Sequence, residues 1–420
     1  MKKHTLLLII AISTVFTLKA QHISQVEKER LQSIDKRVNQ LGNQIFIFWL
    51  NHGPDKKYGG FYGTLDENGK PIKPFDKAVI AQSRHLWAFS TWYAYKGPSK
   101  EVKDICDNLY TFLITNFRDP ESEEFVMSTD EKGKVTDNKK WLYSNSFAIL
   151  GLAQYAKVFG NHEAAGLALQ CFNAIDKRTH DPVNGGYNQI NDNWLLREGA
   201  NRETNTHIHL LESFTALYEV THDNLVKARL EEMLQLVSFT LPQPTGYVHQ
   251  QFKADWTPVN EPEVSYGHDL ETSWLLYDAA SVLKKTQDSA ILKQIIKIGT
   301  LSGNQGYDAV NGGYFTAGIP NGKVLNTTKT WWIQAEALNG LLRLYLITGK
   351  SNYLDKIDKT LDWVENYQVN KKTGEWYEDI DGIGKPIPRL IMGHAWKASY
   401  HNLRAMMFMD RWIKENPLMR

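Results

Sequence analysis

A short turn motif that returns six times constrains this chain more than any other feature. A polar, often glycine-rich turn runs into an aromatic at Asp55-Lys-Lys-Tyr-Gly-Gly-Phe61, Asp119-Pro-Glu-Ser-Glu-Glu-Phe125 and Asp181-Pro-Val-Asn-Gly-Gly-Tyr187. It returns, more weakly, at Leu241-Pro-Gln-Pro-Thr-Gly-Tyr247, and again at Asp308-Ala-Val-Asn-Gly-Gly-Tyr314 and Asn370-Lys-Lys-Thr-Gly-Glu-Trp376. The closing aromatics are 64, 62, 60, 67 and 62 residues apart. A fixed period of this length means one supersecondary unit used repeatedly.

Between the copies the pattern is helical. Apolar residues recur at three- and four-residue spacing over Leu142–Phe159, Ile208–Val220, Trp274–Leu283, Trp331–Leu346 and Tyr353–Tyr367. Gly160 and Gly349 stand where two of these helices should stop. Each unit has room for two helices and a turn. Six such hairpins close into an all-α (α/α)6 barrel, with six inner and six outer helices around a funnel-shaped pocket. An open solenoid would need atypical end repeats. Here the first and last units keep the pattern, so a single closed domain over residues 21–420 is expected.

The N-terminus reads as an address. Lys2 and Lys3 precede a mostly apolar run from Leu6 to Leu18, and Ala20 follows Lys19. Residues 1–20 are therefore expected to be a signal peptide, cleaved near Ala20–Gln21. That predicts export, to the periplasm. No cysteine follows the run, so no lipid anchor is expected. The 48 basic and 47 acidic side chains give a net charge of +1, and losing Lys2, Lys3 and Lys19 takes it to −2. Such a balance disfavours nucleic acid as a partner and leaves a small molecule. Oligomeric state is not legible; a monomer is favoured. Aromatics make up 12% of the chain. Most must fill the core, but Trp and Tyr also stack on sugar rings. Cys106 and Cys171 lie in apolar helical runs and are expected to be free, buried thiols.

The unusual polar residues fall at one place in every repeat. Counted from the aromatic of their own unit, Arg84 is at +23, Tyr143 at +18, Asn205 at +18, His209 at +22 and His268 at +21. Trp331 is at +17, Trp396 at +20 and His401 at +25. All lie near the opening of a helix, so a closed ring brings them together at one end of the funnel. Asn205 and His209 share a helical face, whereas His207 points elsewhere. His268 and Glu271 are three residues apart, and a hydrogen bond between them would set the imidazole tautomer. A lone histidine is usually structural; three at repeat-equivalent positions point to function.

Two rivals use the same residues. A metal site is disfavoured because His207 and His209 diverge on a helix, and His268-Asp-Leu-Glu271 lacks a second histidine. A glycosidase needs two carboxylates across a bond. Glu271 and Glu336 are candidates, with Asp379 and Asp381 in a loop, but the pocket is richer in imidazole. Histidine suits proton shuttling near neutral pH.

The motifs Asn205-Thr-His-Ile-His209-Leu-Leu-Glu212, Tyr266-Gly-His268-Asp-Leu-Glu271-Thr-Ser-Trp274, Lys329-Thr-Trp331-Trp332-Ile-Gln-Ala-Glu336 and Trp396-Lys-Ala-Ser-Tyr-His401-Asn-Leu-Arg404 resemble those of the cellobiose 2-epimerases. These belong to the N-acylglucosamine 2-epimerase superfamily of (α/α)6 barrels. The resemblance includes Gln82-Ser-Arg84 and spans almost all of the chain after residue 20. It implies His268 and His401 as an acid/base pair, and Arg84, Asn205 and His209 around C1–C2 of an opened sugar. It implies Trp331 and Trp396 as stacking platforms, with Tyr143, Glu271 and Glu336 as further binding residues. Only one of Trp331 and Trp332 is expected to face the pocket.

The implied reaction inverts C2 of the reducing-end residue of a β-1,4-linked disaccharide. The ring opens, one imidazole removes the C2 proton, and a second returns a proton to the other face of a cis-enediol. An aldose–ketose isomerase or an N-acylglucosamine or mannose 2-epimerase is the near alternative. No Gly-x-Gly-x-x-Gly or P-loop is present, and proton transfer requires neither nucleotide nor metal.

Overall fold

The computed structural model describes residues 23–189, 196–259, 262–388 and 391–419. The expected signal segment, residues 1–20, lies outside them. Twelve α-helices occur among the described residues. The inner six are α2 (Val79–Lys96), α4 (Leu142–Phe159), α6 (Thr204–Thr221), α8 (Tyr266–Val282), α10 (Trp331–Thr348) and α12 (His401–Glu415). The outer six are α1 (Gln25–His52), α3 (Lys100–Asn116), α5 (His162–Thr179), α7 (Asn224–Phe239), α9 (Ser289–Gln305) and α11 (Asn352–Trp363).

The inner helices pack in chain order, α2 on α4, α4 on α6 and so on to α12, which packs back on α2. Each outer helix covers one inner helix, and α1 covers α12, so the two ends of the chain interlock. The fold is the expected (α/α)6 barrel. Ion pairs reinforce the join: Arg30 reaches Asp355 at 2.7 Å, and Arg37 reaches Asp362 at 2.8 Å and Glu365 at 2.9 Å. Inner helices are buried on almost every side, while outer helices bury one stripe. Small residues allow the inner ring to close up. A Cβ on Gly151 would stand 2.8 Å from the Ser83 carbonyl oxygen, and one on Gly340 would stand 2.9 Å from that of Leu270. The stops at Gly160 and Gly349 are left-handed, at φ 65° and 68°.

The repeated turn is a structural clasp. Its ends pair as isolated antiparallel bridges at Pro54–Phe61, Arg118–Phe125, His180–Tyr187, Pro242–Val248, Tyr307–Tyr314 and Val369–Trp376. In five units the N–H at the closing position is held by a side chain 20 or 21 residues later, on the next inner helix: Gln82, Asn145, His207, Asp269 and Gln334. A buried cation also clamps the turn acid, as in Lys77–Asp55 at 2.8 Å and Lys329–Asp308 at 2.7 Å. Arg202–Asp181 repeats the arrangement and the half-buried Lys140 pairs with Asp119; in the sixth unit, where Asn370 stands in the acid's place, Lys397 pairs with Glu375 instead. The fourth unit has Leu241 in place of the acid, which is why its sequence copy is weak.

Short antiparallel strands, which the helical reading did not anticipate, tie neighbouring loops at the mouth. One pairs Leu65–Asp66 of the first unit with Ile391–Gly393 of the last, so the rim closes as well. Cys106 and Cys171 are free and buried, as expected.

Candidate active site

Side chains cap most of the outer helices, for example Ser24, Ser99, Asn161, Asp223 and Asp288. No inner helix has a side-chain cap hydrogen bond; in α2, α6 and α10 the first N–H bonds to a neighbouring loop instead, Val79 to Met127 O, Thr204 to Gln250 O and Trp331 to Glu378 O. The result is a ring of six helix N-termini around one mouth. Their partial positive charge favours an anion there.

Within this mouth is a cavity of ≈ 230 Å³, lined by Arg84, Tyr143, Asn205, His209, His268, Glu271, Trp331, Trp332, Trp396 and His401. Every residue proposed from the repeat spacing lines it. Arg84 donates to Tyr143 Oη at 3.0 Å and to the Trp396 carbonyl at 2.7 Å, and its guanidinium lies 4.1 Å from the centre of the Phe147 ring. That fixes a planar, permanently charged donor at the wall.

The three pocket histidines are each oriented through Nδ1. His401 Nδ1 lies 2.7 Å from Glu336 Oε1, His209 Nδ1 lies 3.0 Å from Glu212 Oε2, and His268 Nδ1 lies 3.1 Å from Gln250 Oε1. A carboxylate only accepts, so these contacts place the proton of His401 and His209 on Nδ1. Nε2 is then the nitrogen left for the pocket. Burial, with His209 nearby, pulls the His268 pKa down to about 3. Burial, with Arg84 and Arg404 nearby, holds His401 well below its ordinary value. Both imidazoles are neutral at neutral pH and can accept a proton.

Beneath the histidines lies a buried layer centred on Arg404. It donates to Glu271 at 2.6 Å, to Glu336 at 2.8 Å and to Glu212 at 2.5 Å, and also to the hydroxyl of Tyr400. Trp274 Nε1 holds the other Glu336 oxygen at 2.9 Å. Burial, with Glu336 beside it, raises the Glu271 pKa to about 7. Burial opposes ionisation of Glu212, but Arg404 and His209 outweigh it and bring its pKa to about 2. Glu271, Glu336 and His401 have oxygens and nitrogen within 4.8 Å of one another, as a metal site would. Arg404 already presents its positive charge to both carboxylates.

Three expectations are corrected. Glu336 does not line the pocket; it is buried below, spoken for by His401, Arg404 and Trp274. His268 is held by Gln250 rather than Glu271, because Glu271 turns to Arg404. Both Trp331 and Trp332 line the cavity, and the Trp332 ring lies 4.8 Å from that of His268 and 5.8 Å from that of His401. Glu271 and Glu336 sit on one guanidinium rather than facing each other across an open gap, so they lack the glycosidase arrangement. Asp379 and Asp381 are engaged by Thr330 and by backbone N–H groups. His207 points away from the pocket, as expected, and clasps Tyr187. Glu212, Gln250 and Tyr400 were missed. Glu212 was findable, since it stands one turn after His209; Gln250 comes from a loop with no local signal.

Comparison with known proteins agrees with this fold. Residues 60–405 match the model of the N-acylglucosamine 2-epimerase (GlcNAc 2-epimerase) family. A cellobiose 2-epimerase from Ruminococcus albus is 31% identical over 381 residues, covering 88% of this chain and 96% of that protein. The Bacteroides fragilis cellobiose 2-epimerase is 30% identical over 376 residues, covering 87% and 95%. The structure of the Spirochaeta thermophila cellobiose 2-epimerase superposes with a TM-score of 0.83 at 28% identity, covering 93% of this chain and 99% of that one. With its barrel, its histidine-rich mouth and these likenesses together, this chain belongs to the N-acylglucosamine 2-epimerase family and is a carbohydrate epimerase or isomerase.

Proposed function

We propose that the protein epimerises C2 of the reducing-end residue of β-1,4-linked disaccharides, taking cellobiose to glucosyl-mannose or mannobiose to mannosyl-glucose. The observation that carries this reading is the pair His268 and His401, on helices two places apart in the ring and lining one cavity. The likeness to cellobiose 2-epimerases supports the substrate class.

In this reading the sugar opens to its C1 aldehyde, with His209 and Arg84 at the C1–C2 end. One of His268 and His401 takes the C2 proton through Nε2. Negative charge on the enediolate oxygens meets Arg84 and the converging helix N-termini in a water-poor pocket. The other imidazole, protonated at Nε2 from solvent once the enediolate's negative charge stands beside it, gives that proton to the opposite face, and the first releases its proton to solvent. Asn205, Tyr143 and Glu271 hold hydroxyls, and Trp331 and Trp396 stack on the rings. If one base carried the proton from C2 to C1, a ketose would form instead. Export to the periplasm after loss of residues 1–20 is part of the same proposal.

The test is NMR in deuterated water with cellobiose and β-1,4-mannobiose in separate tubes. Deuterium at C2 and appearance of the C2 epimer are expected. A ketose would mean an isomerase, free monosaccharides a glycosidase; either overturns the proposal.

A further inference from the structure

The barrel axis holds a second, larger cavity of ≈ 340 Å³. The histidine pocket uses the first turns of the inner helices; this one uses their later turns. Trp87, Gln154, Glu212, Tyr277, Arg343 and Trp412 supply one wall residue from each inner helix, α2 to α12. Glu212 stands between the two cavities: its carboxylate holds His209, and it also lines the lower space.

The lower cavity is polar in a balanced way. Arg343, only 8% exposed, is sandwiched between Tyr277 at 4.2 Å and Trp412 at 3.9 Å from the ring centres. Its Nη2 donates to Asp278 at 3.2 Å, while its buried Nε has no hydrogen-bond partner among the described residues. Lys157 pairs with Glu219 at 3.0 Å. Arg411 and Glu415 also line it, so side chains of both signs surround the space, and a strongly anionic or cationic ligand would meet repulsion from some of them. A neutral ring bearing many hydroxyls meets donors and acceptors together, with aromatic walls for its C–H faces.

We propose that this cavity is a second binding site, for a neutral sugar ring, at the end of the barrel away from the histidines. The proposal is independent of the epimerase reading, because its test reads binding and not turnover.

The test is fluorine NMR of the protein carrying 5-fluorotryptophan, with the Trp412 resonance assigned by its loss in Trp412→Phe. The probe is methyl β-D-glucopyranoside, whose locked ring cannot open. The Trp412 resonance should shift saturably, and should still do so in Trp396→Ala, which weakens the upper pocket. Ser281→Trp, at the exposed rim, should weaken the response at least tenfold; so should Asp278→Asn, which keeps the shape. An unmoved Trp412 while the upper tryptophans respond would overturn the proposal. So would a Trp412 shift that disappears in Trp396→Ala and survives in Ser281→Trp and Asp278→Asn, since it would be relayed from above. Epimerisation of cellobiose is assayed separately, so failure of one reading is not failure of the other.

Discussion

His401 and Glu336 act as one unit: the imidazole Nδ1 lies 2.7 Å from a carboxylate oxygen that has no solvent exposure. The sequence places them 65 residues apart, on α12 and α10. Glu336 is a positioning residue, fixing the tautomer and ring plane of His401 with support from Trp274 and Arg404. Glu336→Gln should keep the shape but lose the charge that holds the Nδ1 proton. Turnover should fall about 10- to 100-fold with little change in KM, and the pH–rate profile should move. An unchanged kcat and profile would remove the role.

His268→Ala and His401→Ala should each lower kcat by about 100- to 10,000-fold, the usual range for a positioned acid or base. Their far-ultraviolet circular dichroism should match the wild type, because both side chains face a cavity rather than packed core. Near wild-type kinetics in either variant would take that histidine out of the mechanism.

Arg84 makes two directed hydrogen bonds and stacks on Phe147, a geometry lysine cannot reproduce. Both Arg84→Ala and Arg84→Lys should cut kcat/KM by at least about tenfold, more than their effect on Tm accounts for. Full rescue by lysine would mean that only charge matters there.

The buried Lys329 clamps Asp308 and also donates to the Gly312 carbonyl at 2.6 Å. Lys329→Met strands a buried carboxylate and should cost about 3–5 kcal/mol in denaturant unfolding. The double variant with Asp308→Asn should recover part of that loss. Equal destabilisation of the single and double variants would show that the ion pair is not the cause.

Asp269 clasps Val248 N–H where other repeats use Gln, Asn or His. Burial raises its pKa from 3.8 to about 8. The folded state therefore binds a proton that the unfolded state has lost between those values. The stabilisation is complete below about pH 3.8 and is lost as pH rises through about 8, with a slope approaching ~1.4 kcal/mol per pH unit. Asp269→Asn, the residue type of the second repeat's clasp, should flatten this fall and be the more stable protein at pH 8.5. Parallel pH–stability curves would contradict the assignment.

Much was legible in the chain because a repeat is a local statement made six times. The spacing of Phe61, Phe125, Tyr187, Tyr247, Tyr314 and Trp376 implied six equivalent units, and closure of those units put Arg84, His209, His268 and His401 in one mouth. The clasping residues were equally periodic, but a buried Gln or Asn carries no chemical signal unless its backbone partner is known. Hence His207 could be set aside by helical phase, yet its clasp on Tyr187 emerged only from the fold.

By itself the sequence determined the period, the helical faces and the set of chemically unusual side chains at the helix openings. Only the tertiary structure decided which of them touch. Glu271 could have oriented His268 by helical spacing, but Arg404, arriving from the far end of the chain, drew Glu271 to itself and left His268 to Gln250. Spacing along one helix limits which neighbours are within reach. Competition among charged groups in a buried, low-dielectric layer selects the pairs, and that competition exists only once six helices have closed into a ring.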